Sequence, residues 1–536
     1  MRDFRELNQQ LNEVKGILNS FIQKLTAQVE MFMGISSQTR FRGTMRRSII
    51  FNISGILIII FWVFILVELG KRVNCKSRPI NTHRIYGQRN VEDLSEDWMD
   101  ILLKGHKIGY AVTKIKKIHS GFEVSEKIFL VINLMGSTRK IISHTTAQID
   151  EKFLLNEFEY SLSPDSIEFK ISGKMKGNNL YLSFGTGKDR EDRLIKLSSK
   201  PMIGAGLTNF FRSSTLEVNK SYTIDVFDPL TMTTNPYTIR AVKREIVRIG
   251  DKSYDALRLE MTYLGTPLVF WLDRGGTPLK EQGFMGFTLV KSTPEKAKAG
   301  LDRLEKIDFY DLSAIRVKNK IQGPRDLSYL KVQFDQTPSS LPREGLRQKL
   351  HGKILEIYKE RITDKASYDI PYNGNNTELL YNLRPEILIQ SGDPDIKKLS
   401  KKIVKKVINP EIATRMIMGW VFESLKKTPV ASVPDAKKIL ASKRGDCNEH
   451  ATLLTALLRA VGIPSRIVIG LVYNNGKFYY HAWNEVYTNG WITVDAIFKQ
   501  MPVDATHIKL ITGGIEKQIQ IAGMINSLKF KVLDYR

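Results

Sequence analysis

Cysteine is nearly absent from this chain. Two residues in 536, Cys75 and Cys447, rule out a disulfide framework and a multi-cysteine metal site. A bridge between them would silence a thiol that lies in a motif-rich segment, so both are expected to be free. Acidic residues are also scarce relative to basic ones, 56 against 81, giving a formal charge of +25. Such an excess suits an anionic surface or polymer. No helix-turn-helix, zinc-finger or RNA-binding signature accompanies it, so nucleic acid is not expected as a partner. Long hydrophobic runs are lacking as well, with one exception.

That exception is Ser48–Val67, SIIFNISGILIIIFWVFILV, which is free of charge. A helix of that length crosses a hydrocarbon core of about 30 Å. Arg42, Arg46 and Arg47 precede it, and Glu68, Lys71 and Arg72 follow. It starts too far from Met1 for a cleaved signal peptide, and no small-residue cleavage site follows. The expectation is a single-pass anchor in a bacterial inner membrane, with the large C-terminal part periplasmic. Ahead of it, Phe4, Leu7, Leu11, Val14, Leu18, Phe21 and Leu25 alternate spacings of three and four. This pattern fits either a short coiled coil joining a homodimer or a surface amphipathic helix.

Six segments emerge from the changes in pattern: 1–47 with the heptads, 48–67 as the transmembrane helix, 68–93 as linker, 94–311 as a β-rich domain, 312–394 as connector and 395–536 as the catalytic domain. In the β-rich segment, short runs such as Lys127–Asn133, Leu180–Phe184, Ser221–Phe227 and Pro267–Asp273 are separated by turn residues. They predict an antiparallel sheet. Gly105–Tyr110 and Trp271–Gly275 give it a resemblance to the curved sheets of periplasmic lipoprotein-carrier-like domains. From Asp395 the chain reads as helical, with paired lysines at 397/398, 401/402 and 405/406 on one face.

The chemistry gathers near the C-terminus. Asn409-Pro410-Glu411 predicts a helix start, with the helix running to about Lys427. Val433-Pro434-Asp435 predicts another. After Arg444-Gly-Asp-Cys447, apolar residues recur at helical spacing (Ala451, Leu454, Leu457, Leu458, Val461) until Gly462-Ile-Pro464. Cys447 therefore stands at a helix N-terminus, where the dipole is expected to lower a thiol's pKa and where backbone N–H groups can hold an oxyanion. Strands are predicted over Arg466–Tyr473, Lys477–Tyr487 and Trp491–Asp495. These carry His481 and Asp495, completing nucleophile, base and orienting acid.

Register sharpens this reading. A two-residue turn at Asn489-Gly490 would put Asp495 and His481 on opposite faces. A three-residue loop, with Gly490 left-handed, pairs Tyr487 with Trp491 and Trp483 with Asp495, which puts Asp495 on the His481 face. The three-residue loop is predicted. Asp446, Glu449 and Glu485 are read as structural, and Trp483 as packing on the His481 face. His450 lies three residues after Cys447 but has no further ligands in sequence, so neither a metal nor another cofactor is expected.

Four ordered stretches, Arg444–Ala451, Leu458–Arg466, His481–Tyr487 and Trp491–Asp495, together with Asp504-Ala-Thr-His507, resemble the transglutaminase-like superfamily. That resemblance implies an α+β, papain-like core, with Cys447 as nucleophile, His481 as general base and acid, and Asp495 as orienter. It implies acyl transfer through a Cys447 thioester, with a protein, peptide or cell-wall amide as substrate. The alternative is a non-catalytic, membrane-anchored binding or envelope-assembly protein.

Overall fold

A computed structural model describes residues 94–536, apart from segments 135–136, 165–168, 185–190, 264–265, 284–285, 302–307, 309–313, 339–340, 343–346, 363–365, 430–432, 515–516, 518–520 and 522–527. The expected heptads, the 48–67 span, the linker and Cys75 lie outside the described residues. Among the described residues no helix is long and apolar enough to cross a membrane.

The β-rich segment forms one 15-stranded sheet between Leu94 and Lys291. Alternation makes the strands: Phe169–Lys176 runs FKISGKMK, with Phe169, Ile171 and Gly173 buried between exposed or half-buried neighbours. The first strand, Leu94–Leu103, pairs antiparallel with the last, Phe287–Lys291, in the middle of the sheet. From there the strands meander outwards to edges at Glu191–Lys196 and Met202–Ile203. Side chains from both wings share one core with the short helix Leu207–Ser213, whose Phe210 and Phe211 are 0% and 3% exposed. Burying each such ring contributes about 1.5–3 kcal/mol. The sheet is therefore folded around that helix.

Two carboxyls of this sheet are unusual. Burial raises Glu126, and burial together with the Glu126 charge pushes Glu281 up from 4.5 to about 7. A raised carboxyl keeps a proton in the folded chain that the unfolded chain gives up. Stability is then lost as pH climbs from about 4.5 to 7, and the loss persists above that range. Glu281→Gln is expected to stabilise the protein by about 1–3 kcal/mol at pH 8 and by nearly nothing at pH 4.5. Urea unfolding at the two pH values checks this; an equal effect at both would refute it.

The segment read as a connector is structured. Tyr329–Phe334, Gln348–His351 and Ile354–Tyr358 form a four-stranded sheet with the C-terminal strand Phe530–Tyr535. Leu330, Val332, Leu355, Ile357, Phe530 and Val532 join the core of the C-terminal helices. Helices span Pro394–Val404, Pro410–Ser424 and Ala436–Ser442, capped by Asp393, Asn409 and Asp435. The second of these ends before the predicted Lys427: Lys426–Lys427 is instead a two-residue strand beside Arg444–Gly445. The β-rich sheet and this unit touch directly. Val433 lies in the sheet's core beside Ile387 and Leu388, and Arg139 donates to the Pro429 carbonyl at 3.2 Å.

Candidate active site

The Cys447–Ala460 helix begins at the thiol. Asp446 caps it, accepting the Asn448 N–H at 3.0 Å, while Glu449 reaches back to the Asp446 N–H at 3.0 Å. This reciprocal pair is a capping box, so Asp446 and Glu449 have the structural roles read from sequence. Gly462, with φ +80°, and Pro464 end the segment. The helix packs on Lys477–Tyr487, tied by Asn484 Nδ2 to the Ala451 carbonyl at 3.0 Å and to Thr455 Oγ1 at 2.7 Å.

The three-residue connection is present. Tyr487 pairs with Trp491, Asn484 pairs with Val494, and Gly490 has φ +135°. The expected Trp483–Asp495 pair does not form: Asp495 leaves the strand just beyond Val494, bridges to Gln500 instead, and from there points its Oδ2 at His481 Nε2, 2.7 Å away. Nδ1 is the ring nitrogen that Asp495 does not engage. On that edge of Lys477–Tyr487, Trp491–Val494 covers only residues 484–487, and Ile315–Arg316 covers only 477–478. The gap between them leaves the Ala482 backbone open, and it hydrogen-bonds the Cys447 sulfur, placing the thiol beside the residue that follows His481. The three sequence-predicted residues thus converge here.

One expectation is overturned. Burial, followed by the charge of Asp446, pushes the Cys447 thiol well above its ordinary range, against the lowering by the Ala482 backbone. The helix dipole does not prevail because the capping carboxylate stands beside the sulfur and the side chain is only 6% exposed. Tyr480, facing the same helix, donates to Asn448 Oδ1 at 2.9 Å; its phenol is raised by burial and then by Cys447.

The remaining polar residues fall into place. Glu485 pairs with Arg466 at 2.8 Å and Lys509 at 2.6 Å. Trp483 stacks with the His481 ring at 6.0 Å between centroids, on the expected face. His450 Nδ1 lies 2.7 Å from the Asp446 carbonyl, a helix contact. The sequence reading gave no role to His507, which reaches Asp495 Oδ2 with Nε2 at 3.1 Å, nor to Arg325, which reaches Asp504 Oδ2 at 3.0 Å. The spacing Asp504-x-x-His507 was the available signal for the first. Nothing near Arg325 marks it.

His481, Asp495 and His507 bring ligand atoms within 4.8 Å of one another, a grouping able to hold a metal. Here both imidazoles contact the same carboxylate oxygen directly, at 2.7 and 3.1 Å. Asp504 and Asp495 raise His507 despite its burial, so a proton competes for its nitrogens. The arrangement fits hydrogen bonds better than a cation.

A thiol at a helix start, with an imidazole and a carboxylate on the adjoining antiparallel sheet, defines the papain-like α+β class of thiol site. The family model of the transglutaminase-like superfamily matches residues 397–496, and this part of the chain belongs to that superfamily. No curated protein matches the chain. Among solved structures, a candidate cysteine protease from Cytophaga hutchinsonii is 17% identical with TM-score 0.26, covering 42% of this chain and 82% of its own. A β-barrel-like protein of unknown function from Brucella abortus is 12% identical with TM-score 0.28, covering 37% and 94%. A candidate protease from Parabacteroides distasonis is 11% identical with TM-score 0.18, covering 70% of each chain. Likenesses this low carry no weight for activity or substrate.

Proposed function

We propose that the chain is a thiol enzyme that cleaves or transfers amide bonds through an acyl-thioester on Cys447. The observation that carries this reading is the 2.7 Å contact between His481 Nε2 and Asp495 Oδ2, made beside the strand edge that binds the Cys447 sulfur. Asp495 fixes the tautomer and aim of the imidazole, leaving Nδ1 to take the thiol proton as the sulfur attacks a carbonyl carbon. The cap uses the N–H groups of Asn448 and Glu449, leaving that of Cys447 for the developing oxyanion. Collapse breaks the C–N bond as imidazolium returns its proton to the departing amine. Water then releases an acid, or a second amine forms a new amide.

We place the enzyme at a bacterial inner membrane, held by residues 48–67, with its thiol unit periplasmic and acting on protein, peptide or cell-wall amides by hydrolysis. The charge-free run and its basic flanks support the anchor. A binding protein without turnover is the competing reading, favoured by one feature, the burial of the thiol, which also raises its pKa. The test uses the full chain with a casein digest, a muropeptide digest and a fluorescent primary amine. The expected result is an acid-quenched, hydroxylamine-labile acyl adduct on Cys447 that Cys447→Ser lacks. New amino termini indicate hydrolysis, and amine incorporation indicates transfer. No adduct and no product from either digest would favour the binding protein.

A further inference from the structure

Asp495 is gripped from two sides. Its Oδ2 meets Nε2 of His481 at 2.7 Å and Nε2 of His507 at 3.1 Å, and its Oδ1 takes the backbone N–H groups of Ile497 and Phe498 at 2.6 and 3.3 Å. Beyond it, His507 Nδ1 lies 3.3 Å from Asp504 Oδ1, and Asp504 Oδ2 lies 3.0 Å from Arg325 Nη1. His507, Asp495 and Asp504 are each 0–1% exposed.

We propose that His507 is a positioning residue of the thiol site: it clamps Asp495 from the side away from His481 and passes the charge of that clamp outward to Asp504 and Arg325. The proposal rests on the thiol-enzyme reading. Three observations carry it.

The first is valence. Two imidazoles reaching one carboxylate oxygen must both present an N–H there, so His507 spends its Nε2 proton on Asp495. A second carboxylate stands at Nδ1, at ion-pair distance and without hydrogen-bond geometry, so charge attraction favours a proton on that nitrogen as well.

The second is charge. Taken outward, Asp495, His507, Asp504 and Arg325 then alternate minus, plus, minus, plus and sum to zero. A neutral row, buried from Asp495 to Asp504 and ending at the part-exposed Arg325, avoids the cost of an unpaired buried ion, several kcal/mol in order of magnitude. The titration tendencies agree. Burial opposes charge on His507, but Asp504 and Asp495 outweigh it and raise the group; burial would raise Asp495, but His481 and His507 hold it well below the usual carboxylate range.

The third is rigidity. Trp483 and Phe498 stand edge-on to the His507 ring, at 5.3 and 5.9 Å, and both also lie against His481. The His507 ring cannot swing without displacing the rings that hold His481.

Other charged groups bear on the row from neighbouring elements. Arg347 donates to the carbonyls of Asp504 and His507 and is neutralised by Glu360 at 2.6 Å. Lys427 acts on Asp495 from its strand. None of these contacts the His507 ring.

For catalysis the consequence is balance. A cation on the far side of Asp495, its ring 5.6 Å from that of His481, shares the carboxylate's charge between the two imidazoles.

Two measurements on the full chain test the proposal. In ¹⁵N-histidine spectra at pH 7.5, His507 is expected to show both ring nitrogens protonated; a neutral ring would overturn the proposal. The rate of Cys447 alkylation by iodoacetamide against pH supplies the second readout. Removing the cation makes a proton on His481 easier to keep, so the alkaline limb is expected to rise by about 1 pH unit in His507→Gln. Asp504→Asn, which releases the His507 charge, is expected to move it the same way, and the double variant no further. If His507→Gln does not fold, Asp504→Asn alone gives the shift. A uniform fall in rate with an unmoved profile would reduce His507 to packing. Wild-type alkylation insensitive to His481→Ala would instead sink the thiol-enzyme reading, and the spectra would still report the charge on His507.

Discussion

His481→Ala is expected to slow alkylation of Cys447 by iodoacetamide at pH 7 by about 10²–10⁴-fold, the range lost with a positioned base. Burial and Asp446 push the thiol well above its ordinary range, so almost no thiolate exists at neutral pH unless a neighbour takes the proton. His481 is placed to do so, with Nε2 committed to Asp495 and Nδ1 left over. Without it the reaction should follow hydroxide alone and climb steadily at alkaline pH. The wild type should instead show a plateau from the thiolate–imidazolium pair. Cys75, read in the same digest by mass spectrometry, is the internal standard. Equal Cys447 rates in the two proteins would show that the imidazole does not activate the sulfur.

Gly470→Ala is expected to cost about 3–5 kcal/mol, at the severe end for one added methyl. Gly470 pairs with His481 across the central strands and lies opposite Lys509 where the register shifts. A Cβ there would stand 2.0 Å from the Ile508 carbonyl oxygen and 2.8 Å from the far edge of the Trp483 ring. The first atom is backbone and cannot step aside. The second belongs to the ring that packs against His481. The damage should therefore appear twice, as a lower denaturation midpoint and, in the folded remainder, as slower Cys447 alkylation. Retention of both within experimental error would show that the Ile508 strand can shift freely.

The thiol half was largely legible in the sequence because its signals are local. Asp446 and Glu449 stand three apart at a helix start, Gly462 ends the helix, and Asn489-Gly490 admits two loop lengths of which only one lets Asp495 meet His481. The antiparallel character of 94–311 was legible from alternation, while its closure was not. Nothing in Leu94–Leu103 says that it will lie beside Phe287–Lys291 instead of at an edge. The segment 312–394 looked like a connector because its strands are short and one of them, Tyr329–Phe334, also needs a partner from Phe530–Tyr535. The thiol's pKa was misjudged because a helix N-terminus is visible in sequence and burial is not. Arg325 and His507 meet through Asp504, and sequence spacing is silent on such a contact.

The strand Phe530–Tyr535 has a consequence for the timing of biosynthesis. It pairs with Tyr329–Phe334, and both supply side chains to the core beneath the thiol helix. A ribosome releases the first of these strands long before the second. At roughly 5–20 residues per second the wait is on the order of ten to forty seconds. Throughout it, one flank of the Tyr329–Phe334 strand lacks its partner, and Leu330, Val332 and Phe334 lack part of their cover. The thiol unit therefore completes its core only after the sheet that precedes it has had time to fold. A nascent chain therefore carries Cys447 above an unfinished core until Phe530–Tyr535 has been made.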